Sequence, residues 1–163
     1  MREFLTRVEA SALGHLMRES GIWTYAIVNL AHILGVSALF GSVLVLDLRL
    51  LGCWRRVPLA SIASATVPVA RIGFGLAVVT GAGLLATKAS EYYGNPFFYL
   101  KFPAIALALG LVNVAVLHMS AAWRALGVRE LSPREERRLA LMGGASLACW
   151  LTAVTCGRMI AYL

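Results

Sequence analysis

The chain has 163 residues, of which 60% are hydrophobic and 14% charged, and its mean hydropathy is +0.76. This composition excludes an ordinary soluble domain and is typical of an integral membrane protein, which we predict to be one domain over residues 1–163. The net charge of +7 therefore predicts topology and contact with the lipid bilayer, with no nucleic-acid partner.

The first segment, residues 2–19, is predicted to be an amphipathic helix. Apolar residues recur along one side at helical spacing, namely Leu5, Val8, Ala12 and Leu16. A helix with one apolar and one charged side lies in the membrane interface instead of crossing it. The segment lacks the pattern of a cleaved signal peptide, so we expect it to remain in the mature protein.

Four apolar segments follow, and each is long enough to cross the hydrocarbon core as a helix, which takes about 20 residues. We predict spans at about residues 22–46, 59–86, 96–123 and 138–162. The fold class is thus all-α, an integral membrane four-helix bundle preceded by an N-terminal amphipathic interfacial helix. Ser132 and Glu135 have the spacing of a capping box before the fourth span.

Small residues at steps of four predict close helix packing within two of the spans. In the second span they are Gly73, Ala77 and Gly81, and in the fourth they are Gly144, Ala148, Thr152 and Cys156. Packing of helices within the bundle explains both patterns, and they also make association with other membrane subunits or with a second copy of the chain plausible.

The first span contains a polar stripe in an otherwise apolar sequence. Tyr25, Asn29 and His32 are spaced so that they share one face of a helix. Ionisable groups at membrane depth are costly and usually face a protein interior. His32 is therefore a candidate functional residue, and if a cofactor is bound, this face should line it.

Depth along the helices limits which residues can act together. His32 lies roughly 15 Å below the outer end of its helix, and its height differs from that of His118 by roughly 10–15 Å. This difference argues against one haem held by both histidines. Arg71 lies at about the level of His32 and is a candidate partner for a propionate of a haem bound by His32. Met142 lies near the level of His118, so His118 and Met142 are a second candidate pair of haem ligands. Lys101 opens the third span.

Lys and Arg residues near the spans predict the orientation. The first and third connections contain eight of them and the opposite side six. The positive-inside rule then predicts that these connections are cytoplasmic and that both termini lie outside, on the periplasmic-type face.

Sequence similarities add to this picture. The segment NLAHILGVSALFGSVLVLDLRLLG, an arginine in the second span, GNPFFYLK opening the third span and an asparagine within it resemble a family of small bacterial four-helix membrane proteins of unknown function. This resemblance covers nearly the whole chain.

More distantly, His32 and Lys101 resemble positions of the haem-binding protoporphyrinogen oxidase family and of the copper-resistance protein D membrane domain. The resemblance implies a four-helix core, a b-type haem and electron transfer to or from quinone, with His32 as axial ligand of the haem iron and Lys101 as a site residue. Where the oxidase family has an aromatic-histidine pair in the third helix, this chain has Val112 and Asn113, which leaves the second axial ligand open.

We therefore expect a membrane-embedded electron-transfer protein that binds haem b, quinone or both, alone or as a subunit of a redox complex. The alternative is a structural or accessory membrane subunit without a cofactor, whose polar groups stabilise helix packing. A transporter is a weaker third option, because the chain has no inverted repeat. The sequence contains no Walker, GxSxG, HExxH or GxGxxG motif.

Overall fold

The computed structural model describes residues 1–126 and 132–162, without the side chains of residues 112, 114–126 and 161. Within these residues the chain is all-helical, as predicted. Its helices are α1 (Arg2–Glu9), α2 (Ala12–Glu19), α3 (Gly21–Leu50), α4 (Leu59–Thr87), α5 (Pro96–Leu126) and α6 (Pro133–Met159), with single 3₁₀ turns at Ala89–Tyr92 and Ile160–Tyr162.

Three of the described helices, α3, α4 and α6, are long and apolar enough to cross a membrane, and the described apolar stretch of α5 is the shorter Pro96–Leu111. Protein covers little of these surfaces. In the most apolar 18-residue window only 17% of the residues are buried in α3 and α4, and 28% in α6. Apolar helices that face outward are solvated by lipid, so the chain is a membrane protein in contact with the bilayer.

The N-terminal segment is broken into two helices where the sequence predicts one over residues 2–19. The break is at Ser11, whose hydroxyl accepts a hydrogen bond from the backbone nitrogen of Gly14 at 3.3 Å. A serine in this position caps a new helix instead of continuing the previous one.

The long helices extend beyond the predicted spans. α3 continues through Asp47 to Leu50 and ends before Gly52, whose φ of +104° only glycine adopts without strain. α6 begins at Pro133, and the capping box between Ser132 and Glu135 is confirmed.

The chain divides into two compact units. The first unit contains Met1–Phe40 and Val69–Pro96, and the second contains Gly41–Pro68 and Phe97–Leu163. In the first unit, α3 and α4 pack through glycine. A Cβ atom on Gly73 would lie 2.6 Å from the backbone nitrogen of Leu39 and 2.7 Å from the carbonyl oxygen of Gly35. The predicted packing role of the Gly73 ladder is confirmed.

The N-terminal helices of the first unit are attached to the end of α4. Arg18 donates hydrogen bonds to the carbonyl oxygens of Ala86 and Thr87, each at 3.3 Å, and to that of Glu9 at 2.9 Å. Carbonyl groups at a helix C-terminus lack partners within the helix, and an arginine there satisfies them. Gly14 packs against the carbonyl oxygens of Glu9 and Ala86, where no side chain fits.

The second unit has an apolar core of Leu46, Leu50, Leu59, Ala63 and Leu139. The buried residues of α6 are Leu139, Gly143, Ser146, Trp150, Ala153 and Cys156. Of the predicted ladder, Cys156 is buried and Ala148 is exposed, and the closest approach to α3 occurs one residue earlier, at Gly143. A Cβ atom on Gly143 would lie 2.8 Å from the Cβ of Leu50 and 3.1 Å from the carbonyl oxygen of Asp47.

Candidate functional site

His32 is half-buried on α3 and contacts α4 within the first unit. Its Nδ1 lies 3.1 Å from Oγ1 of Thr80, and a Cβ atom on Gly81 would lie 3.0 Å from its Cε1. The imidazole therefore occupies space that the glycine leaves open, and a buried hydroxyl holds one of its nitrogens.

The hydrogen bonds of Thr80 indicate which nitrogen of His32 carries the proton. The Thr80 hydroxyl donates to the carbonyl oxygen of Leu76 at 2.5 Å. A hydroxyl has one proton to donate, so towards His32 the Thr80 oxygen accepts, and Nδ1 is the donor. The lone pair then belongs to Nε2. A metal-ligating histidine commonly donates its other ring N–H in this way, which sets the tautomer and the ring orientation.

The two other residues of the polar stripe are exposed. Tyr25 is 44% exposed and Asn29 is exposed as well. Tyr25 also lies near Tyr92 in the first 3₁₀ turn, where burial first, and then the neighbouring Tyr25 and Glu91, raise the pKa of Tyr92. The stripe thus has a half-buried histidine in the middle of the helix and two accessible polar groups towards its N-terminal end.

Arg71 is not at the level of His32, contrary to the height match predicted from the sequence. Gly73 packs against Ala38 and Leu39, so Arg71 lies about two turns of α3 from the level of His32. The contacts between glycines set this register, and helix length alone does not reveal it. Arg71 is exposed, and no hydrogen bond or ion pair joins it to the described part of the chain.

The remaining predicted residues lie in the second unit. Lys101 is half-buried, and its Nζ would lie 3.5 Å from a Cβ atom on Gly157, at the end of α6. Met142 packs against the apolar core. The side chain of His118 lies outside the described residues, so its pairing with Met142 stays a prediction.

A buried polar pair that the sequence did not single out joins α3 and α6. Asp47 is 0% exposed and its neighbour Ser146 is 1% exposed. Within the described residues, Ser146 lies close enough to interact with the Asp47 carboxylate, but no hydrogen bond of good geometry is formed by either group, nor by the indole nitrogen of Trp150 one turn further along α6. A signal was present, because Asp47 continues the apolar stripe of α3 four residues after Val43.

The described residues contain no group of three or more His, Cys, Asp or Glu side chains that could together hold a metal ion. A haem brings four nitrogen ligands of its own and takes one or two axial side chains from the protein. The tautomer of His32 fits one such axial position.

No curated protein and no solved structure matches the chain. A family model described as a family of unknown function (DUF6644) matches residues 4–163. This match agrees with the predicted resemblance to an uncharacterised family. The chain therefore belongs to DUF6644, a family of unknown function.

Proposed function

We propose that the protein is a membrane-embedded electron-transfer protein that binds a b-type haem or a quinone at His32. The observation that carries this proposal is the hydrogen bond of His32 Nδ1 to Thr80, because it directs the lone pair of the imidazole to Nε2. That nitrogen has the chemistry of an axial ligand for haem iron and of a hydrogen-bond acceptor for a quinol hydroxyl.

The position of His32 supports the same proposal. The residue lies inside a helix that is apolar enough to span the membrane, where ionisable groups are rare and usually functional. A haem or quinone bound there would supply a redox couple. The chain's own contribution is to hold the imidazole through Thr80 and to provide the close packing surface at Gly81.

Other residues are proposed as secondary site residues. Tyr25 and Asn29 follow the same face of α3 as His32 and are accessible to a ligand. Lys101, His118 and Met142 remain candidates for binding a cofactor, without an assigned contact. The second axial position is not assigned to any of them.

We also propose that α5 is a fourth span that completes a four-helix bundle, with the N-terminal helices in the membrane interface. We place the protein in a bacterial inner membrane, and the arginine count of the connections supports an orientation with both termini periplasmic. The outward-facing apolar surfaces leave room for other membrane subunits or for a second copy of the chain.

The second candidate function is that of a structural or accessory subunit without a cofactor. One observation favours it, namely that His32 already packs on Gly81 and bonds to Thr80. A histidine in this role stabilises the contact between α3 and α4, and its ring needs no ligand.

Absorption spectra distinguish the two functions. The protein is purified from haem-replete cells, its spectrum is measured with and without dithionite, and organic extracts are analysed for quinone. We expect a Soret band or bound quinone in the wild type and its loss in His32→Ala. His15→Ala is the matched control, because His15 is exposed and pairs with Glu19 at 3.7 Å.

The same measurements can also contradict the electron-transfer proposal. If wild-type protein carries neither haem nor quinone, or if His32→Ala retains the full signal, the electron-transfer proposal is wrong. A folded wild type without either cofactor supports the structural alternative.

A further inference from the structure

A cleft with several arginines opens in the second unit, where α3 ends and α4 and α6 begin. Its volume is about 260 Å³, and its lining includes Arg49, Leu51, Arg55, Glu136, Arg137 and Leu139. We call it the arginine cleft. All of these residues belong to the second unit, whereas His32 belongs to the first, and the proposed function does not use the cleft.

Two of the arginines are held in position by the loop between α3 and α4. Arg49 donates from Nε to the carbonyl oxygen of Val57 at 3.0 Å and from Nη2 to that of Arg55 at 3.4 Å. The guanidinium of Arg55 lies over Gly52, where a Cβ atom would be 3.1 Å from its Nε. Both side chains are thus partly ordered before any ligand arrives, which lowers the entropic cost of binding.

The net positive charge of the cleft favours binding of an anion. Among the described residues, three guanidinium groups line the cleft and Glu136 is the carboxylate beside them, so positive charge is in excess. Planar guanidinium groups form bidentate hydrogen bonds with phosphate oxygens, and two or more of them at one cleft are a common arrangement for phosphate recognition.

The apolar wall and the location of the cleft indicate which phosphate compound binds. Four leucines also line the cleft, and one of them, Leu51, is 43% exposed. The cleft also lies at the ends of three helices that are apolar enough to span a membrane, which is the level of lipid head groups. A free phosphate ion would gain nothing from an apolar wall, whereas a phospholipid places its acyl chains there.

We infer that the arginine cleft binds the phosphate head group of an anionic phospholipid, with the acyl chains along the apolar surface beside Leu51. Basic pockets between membrane helices recognise such head groups through the same chemistry. The inference does not depend on the haem or quinone proposal.

Neighbouring arginines provide a matched test. The double variant Arg55→Gln/Arg137→Gln removes two cleft arginines, whereas Arg56→Gln/Arg138→Gln removes the same charge from exposed positions that do not line the cleft. Full-length protein is placed in phosphatidylcholine nanodiscs, and binding of added phosphatidylglycerol is measured by native mass spectrometry. We expect the cleft variant to lose affinity by roughly tenfold or more and the control by about twofold or less.

A third variant, Arg55→Lys/Arg137→Lys, keeps the charge and removes the planar fork, so we expect an intermediate loss. If the glutamine variant fails to fold, this variant and the wild-type preference for phosphatidylglycerol over phosphatidylcholine still test the inference. Equal losses in the cleft and control variants would overturn it in favour of non-specific attraction. Displacement of the lipid by millimolar inorganic phosphate would assign the cleft to free phosphate instead.

Discussion

The Oγ1 atom of Thr80 accepts a hydrogen bond from His32 Nδ1 at 3.1 Å while it donates to the carbonyl oxygen of Leu76 at 2.5 Å. One hydroxyl therefore connects a turn of α4 to the half-buried His32 of α3. This relationship sets the tautomer of the histidine, and it can be examined in the protein without any cofactor.

Replacement of Thr80 by valine should change the preferred tautomer of His32. In wild-type protein selectively labelled with ¹⁵N-histidine, we expect His32 to be protonated at Nδ1, because the Thr80 oxygen accepts there. In Thr80→Val the acceptor is gone, and we expect a shift towards protonation at Nε2. Thr87→Val is the control, since Thr87 makes the same type of backbone bond, to Gly83 at 3.0 Å. Protonation at Nε2 in the wild type would contradict the assignment.

Two glycines of α4 should respond oppositely to alanine. A Cβ atom on Gly73 would meet the backbone of α3 at 2.6–2.7 Å, whereas one on Gly75 would have nothing within 4 Å. Gly73→Ala should lower the free energy of unfolding by about 1–3 kcal/mol through overpacking. Gly75→Ala should raise it by about 0.5–1 kcal/mol through helix propensity. Unfolding in mixed micelles measures both, and equal effects would mean that α3 and α4 do not pack through Gly73.

We expect the buried Asp47 to lower the free energy of unfolding relative to a neutral residue of the same shape. Its carboxylate is fully buried, and within the described residues neither oxygen forms a hydrogen bond of good geometry, although Ser146 lies beside it. We expect Asp47→Asn to raise the free energy of unfolding by about 1–3 kcal/mol, because it removes a buried charge. Thermal unfolding in detergent tests this, with Ser146→Ala as the companion variant. A lower midpoint for Asp47→Asn would show that the carboxylate has a bound partner in solution.

Attachment of the N-terminal helices should weaken in acid. The backbone nitrogen of Ser90 donates to Glu9 Oε2 at 2.7 Å, and hydrogen bonds from Ser90, followed by the charges of Arg18 and Lys88, hold the pKa of Glu9 below its ordinary value of 4.5. A depressed pKa stabilises the folded state above the ordinary value, and this contribution is lost as the pH falls through the lower, folded value.

Limited proteolysis of α1 across this pH range measures the effect, with an acid-tolerant protease such as pepsin. We expect cleavage to increase below pH 4.5 in the wild type and to be less dependent on pH in Glu9→Gln. Glu3→Gln removes an exposed acid from the same helix and should behave like the wild type. The same acid dependence in all three proteins would exclude Glu9 as its source.

Much of the secondary structure follows from local sequence. The apolar runs predict the helices that are long enough to span a membrane, and the capping box at Ser132 and Glu135 predicts the start of α6, because both depend on residues close together in the chain. The break at Ser11 also depends on nearby residues, but the apolar periodicity continues across residues 2–19 and predicts a single helix there. His32 is identifiable as a candidate site because an ionisable group inside an apolar run is unusual.

The positions and the apolar character of the helices can thus be predicted from the sequence. The contacts of the site residues depend on the tertiary structure. Gly35 and Gly73 set the register of α3 against α4, which pairs His32 with Thr80 and moves Arg71 away from the predicted level. In the same way, Gly143 of α6 brings Ser146 to Asp47. The physical reason is that hydropathy depends on each segment alone, while register depends on which small residues let two backbones approach each other.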